Sequence, residues 1–534
     1  MELAHWNKAK TGLLTVIAAY LLALSAPVPA QAGWQRLHAC AYRDQYSSRQ
    51  LETLGGWDLL ITSTDKPGYL AALRGHTRLL YYTDLIFAGT WLPGWEQVNR
   101  QESWFLHDRA LGYRLFSADF GNYLMDPASG WGPWMVHAVT QRAALLGYQG
   151  VFTDDCAFTT RYLRLMLRSE REPVTAEQGR FTTRVRAEWV TGIYEDRKGQ
   201  GRDWKQGGTV TPGPGDTTTV QLPPGAPRQL YVDYAVSVYR ECEPSTLQGG
   251  IVRTRWPVEW VYGVWTNPQQ SGTNLYRGKG DDGFTNTASG GAIAVASAEV
   301  APGNTVYIKY KADFLPPGLE QRWQAGITAL LHQAKRELGS KPLYYNGVDR
   351  RGGDSSFASV ADGGMMEEAF HSSGVKANWF EPPERWKLFL DRIVSYQGQG
   401  KTILVQSGGS HQDDREDERV VMFCYASYLL GKGDLSSFNF AWEYDALFRP
   451  PAWSVDLGRP REPYRVLSDG LYSRKFERGR VLVRPPLGEG YRQGKAGTHT
   501  FQGRYRRLRL DGSLEPPAHE VTLEDATGVV LLPE

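Results

Sequence analysis

The sequence predicts an α/β chain built on a (β/α)8 (TIM) barrel. Two observations carry the prediction, eight short β-rich apolar runs and helical periodicity between them, while two long intervals with a pattern of their own depart from a plain barrel. The runs are 37–42 (LHACAY), 57–62 (WDLLIT), 78–83 (RLLYYT), 150–154 (GVFTD), 342–346 (PLYYN), 363–368 (GGMMEE), 401–406 (KTILVQ) and 436–442 (SSFNFAW). Helical patterns cover 129–147, 317–338 and 415–430.

Two intervals are too long for ordinary βα connections. Residues 84–128 form a Trp- and Gly-rich excursion. Residues 176–315 open on a Gly/Pro/Thr-rich stretch and continue with alternating runs such as QLYVDYAVSVY (229–239). Period-two alternation bounded by turn residues means antiparallel strands, here expected as an inserted β-sandwich-like module. Alternation returns after Trp453, as in GLYSRKFERGRVLVRP and EVTLEDATGVVLLP. The expected division is 1–32 signal peptide, 33–175 first half of the barrel, 176–315 inserted module, 316–453 second half, and 454–534 a C-terminal antiparallel β domain.

The chain has 534 residues, 41% of them apolar, enough for more than one core. Its net charge of +2 comes from nearly balanced acids and bases without a basic stripe, which argues against nucleic acid as a partner. At the N-terminus Lys8 and Lys10 precede an apolar run from Leu13 to Ala26, followed by Ala30-Gln31-Ala32. This is the order of a cleaved export signal, and the run is short of the roughly 20 residues of a membrane span. The expectation is a secreted or periplasmic protein with no stable membrane span after cleavage. Four cysteines (Cys40, Cys156, Cys242, Cys424) without a C-x-x-C pair exclude a zinc knuckle and a disulfide-built scaffold. No phosphate-binding glycine loop or His pair is present, so neither cofactor nor metal is expected. The acidic run 411–418 reads as charge gathered at a helix N-terminus.

Barrel chemistry sits where strands end. The fourth run ends at Asp154, with Asp155 beside it, and the sixth ends at Glu367 and Glu368. Carboxylates from strand ends four and six can face each other across the barrel mouth, the arrangement that glycoside hydrolysis requires. The competing reading of each acid is a helix cap or an arginine partner.

Four segments, LMDPASGWGPW (124–134), LGYQGVFTDD (146–155), LYYNG (343–347) and ADGGMMEEAF (361–370), follow one another in an order that resembles the glycoside-hydrolase-like TIM-barrel families of secreted bacterial proteins, akin to the polygalactosaminidase group. The closing YSRKFERGRVLVRPP is similar to their final β module, although Arg484 stands where Asn is usual. The resemblance covers the barrel and the C-terminal module, not 176–315. It implies Asp154 as nucleophile or base, Asp155 as a sugar-binding neighbour and Glu368 as general acid/base. Glu367 is the competitor, because strand alternation turns only one of the two inward.

Other strand ends supply candidate sugar-binding groups: Tyr82, Asp84, Asn346, Gln406 and Trp442, with Asn439 nearby. Planar amides, carboxylates and aromatic faces are what sugars engage. Trp379 and Trp104 are expected as aromatic platforms, whereas Trp131 and Trp134 open a helix and are expected to pack. Asp126, before Pro127, is expected to cap that helix.

These observations predict an exported glycoside hydrolase acting on a polysaccharide or oligosaccharide through an Asp154/Glu368 pair, without a cofactor. The alternative is a non-catalytic carbohydrate-binding or surface-matrix protein on the same barrel.

Overall fold

The computed structural model describes Cys40–Tyr42 and residues 57–534, except 74–76, 108–113, 118–119, 157–164, 184–189, 196–201, 213–217, 238–242, 249–250, 254–260, 270–274, 276–291, 295–303, 311–318, 349–356, 373–379, 381, 410–413, 443–445 and 488–495. The export-signal expectation at 1–32 therefore lies outside the described residues, as does Trp379.

The central sheet contains eight parallel strands in chain order: β1 (Cys40–Tyr42), β2 (Leu59–Thr62), β3 (Arg78–Asp84), β4 (Gly150–Asp154), β5 (Leu343–Asn346), β6 (Gly363–Met366), β7 (Thr402–Gly409) and β8 (Ser436–Trp442). β1 and β8, the two ends of the parallel series, lie near each other, so the barrel is nearly closed. All eight expected runs become these strands in the expected order. From β2 onward nearly every residue is buried, as parallel strands require when helices cover one face and a packed lumen the other. The two glycines that open β6 have a steric reason. A Cβ on Gly363 would stand 2.2 Å from the Thr402 carbonyl oxygen, and one on Gly364 2.9 Å from that of Tyr345.

Helices α1 (Pro67–Leu73), α2 (Trp131–Leu145), α3 (Leu319–Leu338), α4 (Pro383–Gly398) and α5 (Asp414–Gly431) alternate with the strands. α2 buries Trp131, Met135, Val136 and Val139, and packs against α3. The Trp131 indole donates to the Leu85 carbonyl oxygen at 2.9 Å, so this residue is core, as expected. Asp126 is a turn former and ion-pair partner more than a cap. Its carboxylate takes the Ala128 N–H at 3.0 Å and Arg322 of α3 at 2.6 Å, while the first N–H of α2, that of Trp131, is taken by Ser129 Oγ at 3.2 Å.

The two long intervals are joined by hydrogen bonds. Strand Arg114–Ser117 of the excursion after β3 pairs with Leu165–Thr175, which pairs in turn with Gln229–Ser237. Together with Phe87–Ala88, Asn122–Leu124 and Val190–Tyr194 they form one six-stranded antiparallel sheet. The β excursion after β4 thus begins at Leu165, upstream of the expected 176, and its first strand belongs to the sheet of the earlier excursion. Among the described residues, two further antiparallel sheets, of three and five strands, lie in the inserted region. Beyond the barrel, six strands between Arg465 and Pro533 form an antiparallel sheet whose strands Arg480–Arg484 and Thr527–Pro533 pack on α5. The Arg474 guanidinium donates to the carbonyl oxygens of Leu429 and Lys432, fixing this sheet to the end of α5.

Candidate active site

The lumen is built in tiers. Leu59, Ile61, Leu80, Phe152, Tyr344, Met365 and Leu404 form an apolar cluster inside the barrel. Side chains alternate along a strand, so the next inward position lies two residues on. From five of these residues that step arrives at Tyr82, Asp154, Asn346, Glu367 and Gln406. An apolar tier is therefore followed, toward the strand ends, by a polar one.

Asp154 is buried at the end of β4 and receives three donors. The Tyr82 hydroxyl donates to Oδ2 at 2.7 Å, while Asn346 Nδ2 and the Asp155 N–H each donate to Oδ1 at 2.8 Å. Asp155 has a left-handed backbone (φ 47°), a region Asp tolerates better than most residues, and this turns the chain sharply out of the strand. Burial, with the charges of Asp154 and Asp84, holds the Tyr82 phenol far above its ordinary pKa, so it remains a donor.

Asn346 carries a second bond. Its Nδ2 donates to Glu367 Oε2 at 2.5 Å. The structure thus brings Glu367, rather than Glu368, to the amide that also holds Asp154. The reason is register: Met365 faces the lumen, and the residue two further on faces the same way. Glu368, with a left-handed backbone (φ 60°), lies on the same cavity wall. The segment behind it is pinned to β7, with the Ala369 N–H on the Gln406 carbonyl oxygen at 2.7 Å and Ser407 Oγ on the Ala369 carbonyl oxygen at 2.6 Å.

Asp84 lies opposite Asp154 on the neighbouring strand. Its Oδ1 accepts the N–H groups of Ile86 and Phe87, both at 2.9 Å, and so shapes the turn out of β3. Burial raises its carboxyl well above the ordinary value, the nearby charges of Asp155 and Asp154 add to this, and the two N–H donors oppose it. Two carboxyl groups in different surroundings are what an acid/base site needs.

These groups open onto a cavity of about 940 Å3, whose walls include Tyr82, Asp84, Asp154, Asp155, Glu367 and Glu368. Asn346 is buried between the two acids, and Gln406 is buried while accepting from Asn439 Nδ2 at 3.0 Å. Trp442 does not reach the cavity. It is 6% exposed and packs edge-on against Phe440 and Phe448, a consequence of the β8 pleat turning it into an aromatic cluster. Trp104, expected as a platform, instead packs on Trp131 and Trp134 with ring centroids 6.2 and 5.4 Å apart. The sequence reading missed Trp91 and Phe120, two exposed aromatic residues on the cavity wall. Their signal was the Trp/Gly-rich excursion itself, read only as a long loop. Cys156 and Cys424 are free, and burial pushes both thiols up, away from reactive thiolates. Among the described residues no His/Cys/Asp/Glu cluster could hold a metal ion, and no helix is long and apolar enough to cross a membrane.

Paired acids at the strand ends of a barrel are the arrangement that glycoside hydrolysis requires. Residues 305–480 match the model of hypothetical glycosyl hydrolase family 15, a segment that runs from before β5 into the C-terminal sheet and contains Asn346, Glu367 and Glu368 but not Asp154. No curated protein matches the chain. Among solved structures, the glycoside hydrolase domain of PelA from Pseudomonas aeruginosa is 10% identical, covers 77% of this chain and 96% of its own, and has a TM-score of 0.35. An α-amylase from Geobacillus thermoleovorans complexed with acarbose is 7% identical over 94% of this chain and 99% of its own, with a TM-score of 0.39. An Anoxybacillus α-amylase is 8% identical over 91% and 89%, with a TM-score of 0.38.

Proposed function

We propose that the protein is an exported glycoside hydrolase that cleaves a polysaccharide with retention of configuration, using Asp154 as nucleophile and Glu367 as general acid/base. The observation that carries this reading is the shared Asn346 amide. Two hydrogen bonds of 2.8 and 2.5 Å meet at one nitrogen. One oxygen of each carboxyl group is therefore no more than about 5.3 Å from one oxygen of the other, a closeness that suits a retaining pair at about 5–5.5 Å better than an inverting pair at about 6.5–9.5 Å.

In the first step an Asp154 oxygen bonds to the anomeric carbon as the glycosidic bond breaks, and Glu367 gives its proton to the leaving oxygen. In the second, Glu367 takes a proton from water, whose oxygen displaces Asp154 and restores both carboxyl groups. Tyr82 and the Asp155 N–H hold the Asp154 oxygens in place, and Asp155 offers its own carboxylate to a sugar hydroxyl. Glu368, which the motif resemblance favours, is the competitor for the acid/base role. The order of charge, apolar run and small residues over 1–32 supports export, and N-terminal sequencing of the exported chain should begin at Gly33.

The test is a panel of polysaccharides with reducing ends counted and the anomer of the product followed by NMR. Release with retained configuration, lost in Asp154→Asn, supports the proposal. Glycan binding without release would favour the non-catalytic alternative, and release unchanged in Asp154→Asn would remove Asp154 from the chemistry.

A further inference from the structure

Among the large hydrophobic side chains that the described residues leave exposed, two are aromatic: Trp91, 49% exposed, and Phe120, 43% exposed. Both line the cavity that contains Asp154 and Glu367. Isolated exposed aliphatic side chains need no explanation, but two exposed aromatic rings on the wall of one acid-lined cavity do.

Trp91 is braced in its exposed position. Its indole Nε1 donates to Asn122 Oδ1 at 2.6 Å, which spends the polar edge on the protein. The ring lies over Gly89, where a Cβ would stand 3.0 Å from Nε1 and 2.7 Å from Asn122 Oδ1. Any larger residue at 89 would push the indole and the amide away, so the glycine serves the close approach. Phe120 leans on Phe87, which is fully buried, with ring centroids 5.7 Å apart. Both rings are carried by the excursion after β3, whose strand Arg114–Ser117 is hydrogen-bonded to Leu165–Thr175 of the second excursion. A rigid aromatic face with its polar edge already satisfied suits a ligand that offers C–H groups on one side and hydroxyls on the other.

We infer that Trp91, with Phe120 on the wall of the same cavity, forms a stacking subsite for a pyranose ring of the substrate, away from the bond that is cleaved, and that the β excursions exist in part to hold it. This rests on the glycan reading of the site.

The test uses the full chain with Trp91→Ala, Phe120→Ala and the partial rescue Trp91→Phe. Tetra- to hexasaccharides prepared from chitosan, cellulose, xylan and an α-glucan serve as probes, alongside the corresponding aryl monoglycosides. Binding is titrated in the Asp154→Asn background and turnover in the parent background. For the oligosaccharide that the parent cleaves, Trp91→Ala should raise Kd and KM about ten-fold, the effect of losing roughly 1.4 kcal/mol of stacking. kcat should fall far less, the aryl monoglycoside should be affected far less, and Trp91→Phe should lie between. A parent that cleaves oligosaccharides while all three variants keep its KM and Kd overturns the subsite and leaves the catalytic proposal standing. A parent that neither binds nor cleaves any probe overturns both. Melting temperatures of the variants within a few degrees of the parent separate lost stacking from lost fold.

Discussion

Asn346 Nδ2 stands 2.5 Å from Glu367 Oε2, and the same nitrogen is 2.8 Å from Asp154 Oδ1. An amide nitrogen has two hydrogens and no acceptor, so it bonds both carboxyl groups at once and holds them apart. Asn346→Asp keeps the shape but replaces the donor with a third carboxyl group. Activity should fall by on the order of a hundred-fold or more, since each acid loses a directional partner and gains a repulsive one. Turnover close to the parent's, measured on the preferred glycan, would mean that the bridge is structural.

The two glutamates make opposite predictions. If Glu367 donates the proton, Glu367→Gln should lower kcat/KM about 10²- to 10⁴-fold on natural linkages, whose leaving groups need protonation, and much less on activated aryl glycosides. Glu368→Gln should then reduce both substrate types by a similar, smaller factor. A reversal of the two patterns transfers the acid/base role to Glu368.

Tyr82→Phe removes one of the three donors to Asp154 without emptying the lumen. A buried neutral hydrogen bond contributes about 0.5–1.5 kcal/mol, more to a charged partner. kcat should fall roughly ten-fold with KM little changed, because what is lost is the orientation of the nucleophile. A change confined to KM would show instead that Tyr82 touches substrate.

Much of this architecture was legible in the sequence, for reasons that particular residues make plain. Parallel strands buried on both sides leave near-continuous apolar runs, so all eight barrel strands, from LHACAY to SSFNFAW, could be read in order. Asp154 was visible because it follows such a run directly. Which of Glu367 and Glu368 meets Asn346 was not visible in the motif, although counting inward from Met365 points to Glu367. Pairing between distant strands leaves no local trace, so nothing in the sequence joins 114–117 to 165–175. Where Trp442 lies was hidden for the same kind of reason: which way a tryptophan at a strand end turns is decided by its neighbours, here Phe440 and Phe448.

That hidden pairing changes what excision of the inserted region should do. Removing 176–315 takes away strand Gln229–Ser237 and leaves the eleven residues Leu165–Thr175 as a long open edge. Long unpaired edges invite association with other chains. Soluble yield should drop, with oligomers visible by light scattering. Removing 157–315 takes the whole strand and leaves the four-residue Arg114–Ser117 as the edge, so this chain should stay more soluble. A monomeric, parent-like product from the 176–315 deletion would show that the shared sheet contributes little.

Asp84 gives a stability test with a definite sign. Burial and the charges of Asp155 and Asp154 raise its carboxyl in the folded state above the ordinary value of 3.8. A group raised on folding contributes stability that is fully present below its unfolded pKa and is lost as pH rises through the folded one. The parent should therefore lose stability from this group as pH climbs above about 4, when folding must increasingly accommodate a buried charge. Asp84→Asn keeps an oxygen for the N–H groups of Ile86 and Phe87 but cannot ionise. Its melting temperature, measured against the parent's from about pH 4 to pH 8, should compare least favourably at the acid end and improve steadily toward the alkaline end. A difference between the two proteins that stays constant across that range would mean that Asp84 does not change its charge there. It would then act only as the oxygen that shapes the turn.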